Sequence, residues 1–128
     1  MTTDHTVMRG VTFTYLDQDN DWQEVRRVSV LLSWSAHDPC TINLYFGKRN
    51  IWLLSRGLLL DGLVCDAPEG VNGGDYHWVE WDDNHILLDL HPPQGHATLR
   101  ARKSALAAFL AATVYHEFSN PLLETWWQ

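Results

Sequence analysis

Two long alternating runs on either side of an acidic turn constrain this chain more than any other feature. From Val7 to Leu16 the residues Val11, Phe13 and Tyr15 share one parity, with threonines between them. From Trp22 to Trp34 the residues Val28, Val30, Leu32 and Trp34 do the same. A period of two places each set on one face of a strand and turns that face toward a core. Asp17-Gln18-Asp19-Asn20-Asp21 separates the runs, and such side chains bond their own backbone in turns. The pattern predicts a long antiparallel hairpin. A lone hairpin is only marginally stable in water, so more strands or a helix must cover its apolar face.

The rest of the chain supplies them. Residues 40–46 put Ile42, Leu44 and Phe46 on one face of a third strand, and Gly47 to Asn50 turn into a short fourth strand, 51–54. Ser55 is an expected helix N-cap for one or two turns through Leu60, with Gly62 as the expected stop. Three glycines and a proline make 66–75 a loop. Strands are predicted again at 76–81, 86–90 and 97–101, with turns at Asp82-Asp83-Asn84 and Pro92-Pro93-Gln94-Gly95. A long helix is predicted from Ser104 to about Glu117, with Leu106, Phe109, Leu110, Thr113 and Val114 as its core stripe. These elements predict an α+β domain over residues 1–117, built of twisted antiparallel sheets with one short and one long helix. Residues 118–128 form a tail.

The long helix is unusual on its other side. Ala105, Ala108, Ala111 and Ala112 stand where a surface helix carries Lys or Glu. The expected explanation is an oligomer interface along the alanines; the alternative is a helix lying across the sheet beneath the acidic loop.

Charge narrows the function. The chain has 128 residues and a formal charge of −7, and residues 50–99 carry eight acids (Asp61, Asp66, Glu69, Asp75, Glu80, Asp82, Asp83 and Asp89) against Arg56 alone. Nucleic-acid binders need clustered basic residues to displace counterions from phosphates. The sequence shows no such cluster, so nucleic acid is not the expected partner and the tryptophans Trp34, Trp52, Trp78 and Trp81 are assigned to the core. The acidic turn at Asp82 and Asp83 is a candidate protein-binding feature, or it serves its own backbone. Trp126 and Trp127 near the end of the chain are candidate interface anchors, or they fold back onto the sheet.

No catalytic or cofactor motif emerges. Neither cysteine has a catalytic setting; Cys40 and Cys65 are expected as reduced, buried apolar residues in a cytoplasmic protein. The 70–74 glycines lie among acids and do not suit a phosphate. His77, His85, His91 and His96 lack metal-ligand spacing and are expected as surface residues, although His91 and His96 flank the Pro-Pro turn. No apolar run reaches the roughly 18 residues of a membrane span. The expectation is a non-enzyme with no metal and no cofactor.

From Leu32 onward the sequence resembles the SsgA-like proteins of actinomycetes. The family pattern L-x-Y-D-x-x-D-P-Y-A-V-x-L-x-F is met at the same spacing by residues 32–46, including Asp38 and Pro39. Its W-x-F-x-R-D-L-L-x-x-G-L segment is met by Trp52, Arg56, Leu58, Leu59 and Gly62. Val79-Glu80-Trp81, the stretch from Pro92 to Leu99, and Ala105 to Thr113 follow in the family's order. Departures include Gly57 for an acid, Trp34-Ser35 for Tyr-Asp, and a tail without the family's acidic ending. They mark a distant or phage-borne member.

The resemblance implies a non-catalytic adaptor for septum placement in sporulation-specific division. It also implies a Whirly-like fold, a homotrimer, recruitment to the septum, and partners such as FtsZ or another SsgA-like protein. The competing readings are a phage-encoded modulator of a host protein and a single-stranded nucleic-acid binder.

Overall fold

The computed structural model describes residues 5–47, 49–64, 69–92 and 95–118, with side chains described as far as Val114. The elements run in chain order: β1 (Thr6–Asp17), β2 (Gln23–Ser35), β3 (Asp38–Tyr45), β4 (Ile51–Ser55), α1 (Arg56–Val64), β5 (Val71–Asn72), β6 (Tyr76–Glu80), β7 (His85–Leu90), β8 (Ala97–Arg102) and α2 (Lys103–Phe118). The strands form one eight-stranded sheet in the order β4-β3-β2-β1-β8-β7-β6-β5, rather than several sheets. Every pairing in it is antiparallel.

The long hairpin is the spine of this sheet. Val11 pairs with Val30 and Phe13 with Val28, so the two apolar parities meet on one face. The turn is a single 3-10 turn, Gln18–Asn20, in which the Asp17 carboxylate accepts from the Asp19 N–H at 3.1 Å. Asp21 and Trp22 close it at φ 55° and 59°. A bulge between Tyr15 and Leu16 skips Val25. The extra residue breaks the alternation, so Leu16 is buried and Tyr15 only half-buried.

One face of the sheet holds the core. Phe13, Val30, Leu32, Trp34, Ile42, Leu44, Leu54, Trp78, Ile86, Leu88 and Leu99 pack there beneath Leu59 of α1 and Leu106, Phe109 and Leu110 of α2. Both helices therefore lie on the same side.

Several expectations need correction. Helix α1 runs through Gly62 to Val64 instead of stopping. A Cβ at position 62 would stand 3.1 Å from the Trp78 Cβ, so this glycine lets the helix approach the sheet. The 66–75 loop contains the two-residue strand β5, paired to β6. Val114 is 37% exposed, one step off the core stripe. Cys40 is exposed because β3 has only begun and Ile42 is its first core residue; Cys65 lies outside the described residues. Trp34 and Trp78 are core residues and Trp52 is partly buried against the core. Trp81 is not: it follows the end of β6, is 36% exposed, and meets the 38% exposed Trp22 edge-on at 5.5 Å.

Candidate functional site

The residues shared with the family pattern join the two helices to the sheet. Asp38 is exposed and opens β3, pairing with Ser35. The Pro39 carbonyl accepts from the Trp34 Nε1–H at 2.9 Å, which fixes the indole of a fully buried residue. The Arg56 guanidinium stands 5.9 Å over that indole, a favourable cation–π distance. Arg56 Nε–H also donates to Thr113 Oγ1 on α2 at 2.9 Å, and the Thr113 hydroxyl donates to the Leu110 carbonyl at 2.6 Å. Ser55 caps α1 by accepting from the Leu58 N–H, while its own N–H donates to the Tyr76 hydroxyl at 2.8 Å. Leu59 is buried, and Leu58 and Trp52 are half-buried against the core. These positions hold the architecture together.

A different surface carries a groove. The pairing of β1 with β8 covers only Thr14 to Leu16 against Thr98 to Arg100. Where the two strands part, a groove of about 480 Å³ opens, lined by Gly10, Thr12 and Thr14 of β1, Arg27 of β2, and Arg100 and Arg102 of β8. His85 and Ala105 complete its wall. Arg100 is paired with Glu24. That hydrogen bond, and then the Arg100 charge, hold the Glu24 carboxyl below its ordinary value of 4.5. Arg100 also lies 5.9 Å over the ring of Trp81. Arg27 is far from Arg100 and Arg102 in the chain, and the β2-β1-β8 order brings them together.

The Asp82-Asp83 turn borders this groove. Asp82 Oδ1 accepts from His85 Nδ1 at 2.9 Å and from the Asn84 N–H at 2.8 Å. The His85 hydrogen bond, then the Asn84 N–H, lower the Asp82 pKa. The local-backbone reading of this aspartate therefore describes its contacts, while Asp83 is exposed. A second opening continues along Asp83, Asn84, His85, Arg102, Lys103 and Ser104. There Lys103 Nζ donates to Glu80 at 2.6 Å. The groove is thus a mosaic of both signs.

The alanines divide. Ala105 and Ala112 pack partly against the core, whereas Ala108 and Ala111 are exposed. Trp126 and Trp127 lie outside the described residues. Of the histidines, His77 hydrogen-bonds the Glu69 carbonyl at 2.7 Å. His91 and His96 are exposed, stack at 4.8 Å, and lie with Asp89 at one end of the sheet. The sequence signal for this cluster was available: a hairpin about the Pro-Pro turn sets 91 opposite 96, and parity adds 89.

Comparison with known proteins places these features in context. The family model of the Streptomyces sporulation and cell division protein SsgA matches residues 28–116, well over half of the chain. The sporulation-specific cell division protein SsgB of Saccharopolyspora erythraea is 31% identical over 90 residues, which span 67% of this chain and 62% of that protein. A sporulation-specific cell division protein of Frankia casuarinae is 26% identical over 111 residues, 84% of this chain and 73% of that one. Among solved structures, SsgB of Streptomyces coelicolor, studied for mutations that correlate with longitudinal cell division, superposes with a TM-score of 0.74 at 22% identity. That superposition covers 88% of this chain and 87% of the other. An SsgA-like sporulation-specific cell division protein of Thermobifida fusca gives 0.67 at 21%, over 88% and 82%. These structures share the antiparallel sheet with two helices.

Proposed function

Because the chain belongs to the SsgA family of sporulation and cell division proteins, we propose that it is a non-catalytic adaptor that docks a division-machinery protein. The docking surface in this reading is the groove between β1 and β8, together with its acidic rim at Asp82 and Asp83. One observation carries the proposal. In a chain of net charge −7, the fold gathers Arg27, Arg100 and Arg102 beside those acids and the exposed Trp22–Trp81 pair. A surface of alternating charge sets register and rejects wrong partners, and exposed aromatics supply anchoring area. FtsZ or another SsgA-like protein is the proposed partner, at the septum. Trp126 and Trp127 are proposed as further anchors.

The alanine flank of α2 is proposed as the contact between copies, in a homotrimer. Ala108 and Ala111 expose small apolar side chains with no charge nearby on the helix, a surface on which another helix can approach closely.

The test is binding of purified FtsZ and SsgA-like proteins to immobilised chain, with Arg27→Glu and Arg102→Glu as variants. Both side chains are exposed, so the variants should fold and lose binding. Unchanged binding by both would remove the groove from the proposal. Light scattering reports the oligomer; a clean monomer that Ala108→Lys leaves unaltered would refute the α2 contact.

The groove also favours a second reading. Basic residues beside exposed aromatics can bind single-stranded nucleic acid, where bases stack on rings and cations track the backbone. Fluorescence titration with oligonucleotides at low salt decides it, because electrostatic affinity is greatest there.

A further inference from the structure

We propose that Asp89, His91 and His96 form a binding site for a divalent transition-metal ion of the zinc type, at the shared end of the two hairpins. Among the described residues, this is a place where a carboxylate and two imidazoles bring one ligand atom each within 4.8 Å of one another. The site is built by the β7–β8 hairpin. Asp89 pairs with Thr98, the ladder ends at Leu90 with Ala97, and His91 and His96 stand just beyond it. The imidazole rings stack at 4.8 Å with 11° between their planes.

The Asp89–His96 spacing fits a tetrahedral ion. With metal–ligand bonds of about 2.0–2.1 Å, adjacent ligands lie about 3.3 Å apart. Asp89 Oδ1 stands 3.5 Å from His96 Nε2. The Gln18 side-chain amide stands 3.3 Å from the same nitrogen and 3.4 Å from Asp89 Oδ1. Gln18 Nε2 donates to Thr98 Oγ1 at 2.5 Å, so the amide turns its nitrogen to that corner and is a neighbour of the ion, not a ligand. A water completes four ligands, and His91, within 4.8 Å of the others and exposed, has to turn to join them.

The outer shell is in place too. Thr98, almost fully buried, donates its hydroxyl to Asp89 Oδ1 at 2.7 Å and so aims the carboxylate. Two imidazoles with one carboxylate select zinc-type ions over magnesium or calcium, which take oxygen ligands. Gln18 of the β1–β2 turn donates to Asp89 and Thr98, so the site lies where that hairpin meets the β7–β8 hairpin.

The experiment titrates the metal-free, untagged full chain with Zn²⁺ by calorimetry, and with Co²⁺ by its visible absorption. The expected result is one ion per chain with tetrahedral cobalt bands. Each of His91→Ala, His96→Ala and Asp89→Asn should weaken binding by about tenfold or more, and His77→Ala should not. His91 and His96 are exposed, so their variants should keep the wild-type circular dichroism. Absence of saturable binding, or equal affinity in the two histidine variants and the wild type, would overturn the proposal.

Discussion

Thr113→Val tests whether Arg56 serves the fold or a partner. Valine matches the shape of threonine, so the fully buried site stays filled. Two hydrogen bonds disappear: the one Thr113 accepts from Arg56 Nε and the one it donates to the Leu110 carbonyl. The second is a small loss, because it competes with ordinary helix bonding. The first removes the acceptor of a charged donor, an interaction worth about 1.5–3 kcal/mol. Arg56 is only half-buried and can regain water, so the upper end does not apply. The balance is about 1–2 kcal/mol of destabilisation, a midpoint drop of about 3–10 °C for a domain of this size. Urea unfolding measures it, with an unchanged slope showing that the unfolded state is the same. A double-mutant cycle with Arg56→Met should return a coupling of about 1 kcal/mol. A valine variant as stable as the wild type, or a coupling near zero, would refute the structural role of Arg56.

Other perturbations follow from the same contacts. Glu24 keeps its charge to lower pH in the folded chain than in the unfolded one, through Arg100. The unfolded state therefore takes up the proton first as pH falls, and stability present above about pH 4.5 should decline below it. Glu24→Gln should flatten that acid limb in a pH series of urea midpoints. Gly62→Ala gains about 1 kcal/mol of helix propensity but presses on buried Trp78 at 3.1 Å and Ile86 at 3.4 Å. Overpacking costs about 1–3 kcal/mol, so thermal melting should show a net loss. Gly57→Ala in the same helix meets only Ser55 Oγ at 3.8 Å and should melt no lower than the wild type. Exposed Cys40 should react with a thiol reagent in the native state, and Cys40→Ser should remove that fast phase.

The elements were legible where periodicity is strong. Alternation over β1 and β2 and the helical stripe over α2 are local patterns, and burial of one face suffices to read them. Errors came where a local rule met a tertiary contact. Gly62 read as a stop signal because glycine disfavours helices in isolation, yet in the fold it makes room for Trp78. Cys40 and Trp81 read as core because they are apolar, but each sits at a strand terminus beyond the covered face.

By itself the sequence determined the long strands, the long helix with its core stripe and the family resemblance, since these depend on neighbours within a few residues. Only the tertiary structure decided what the surface brings together. Arg27 meets Arg100 and Arg102, far off in the chain, because β8 returns to pair with β1, and this sets three arginines in a groove with an acidic rim. The same pairing of β1 with β8 brings Gln18 of the first hairpin beside Asp89 and His96 of the second. Such juxtapositions arise from long-range strand pairing, whose order no local pattern encodes.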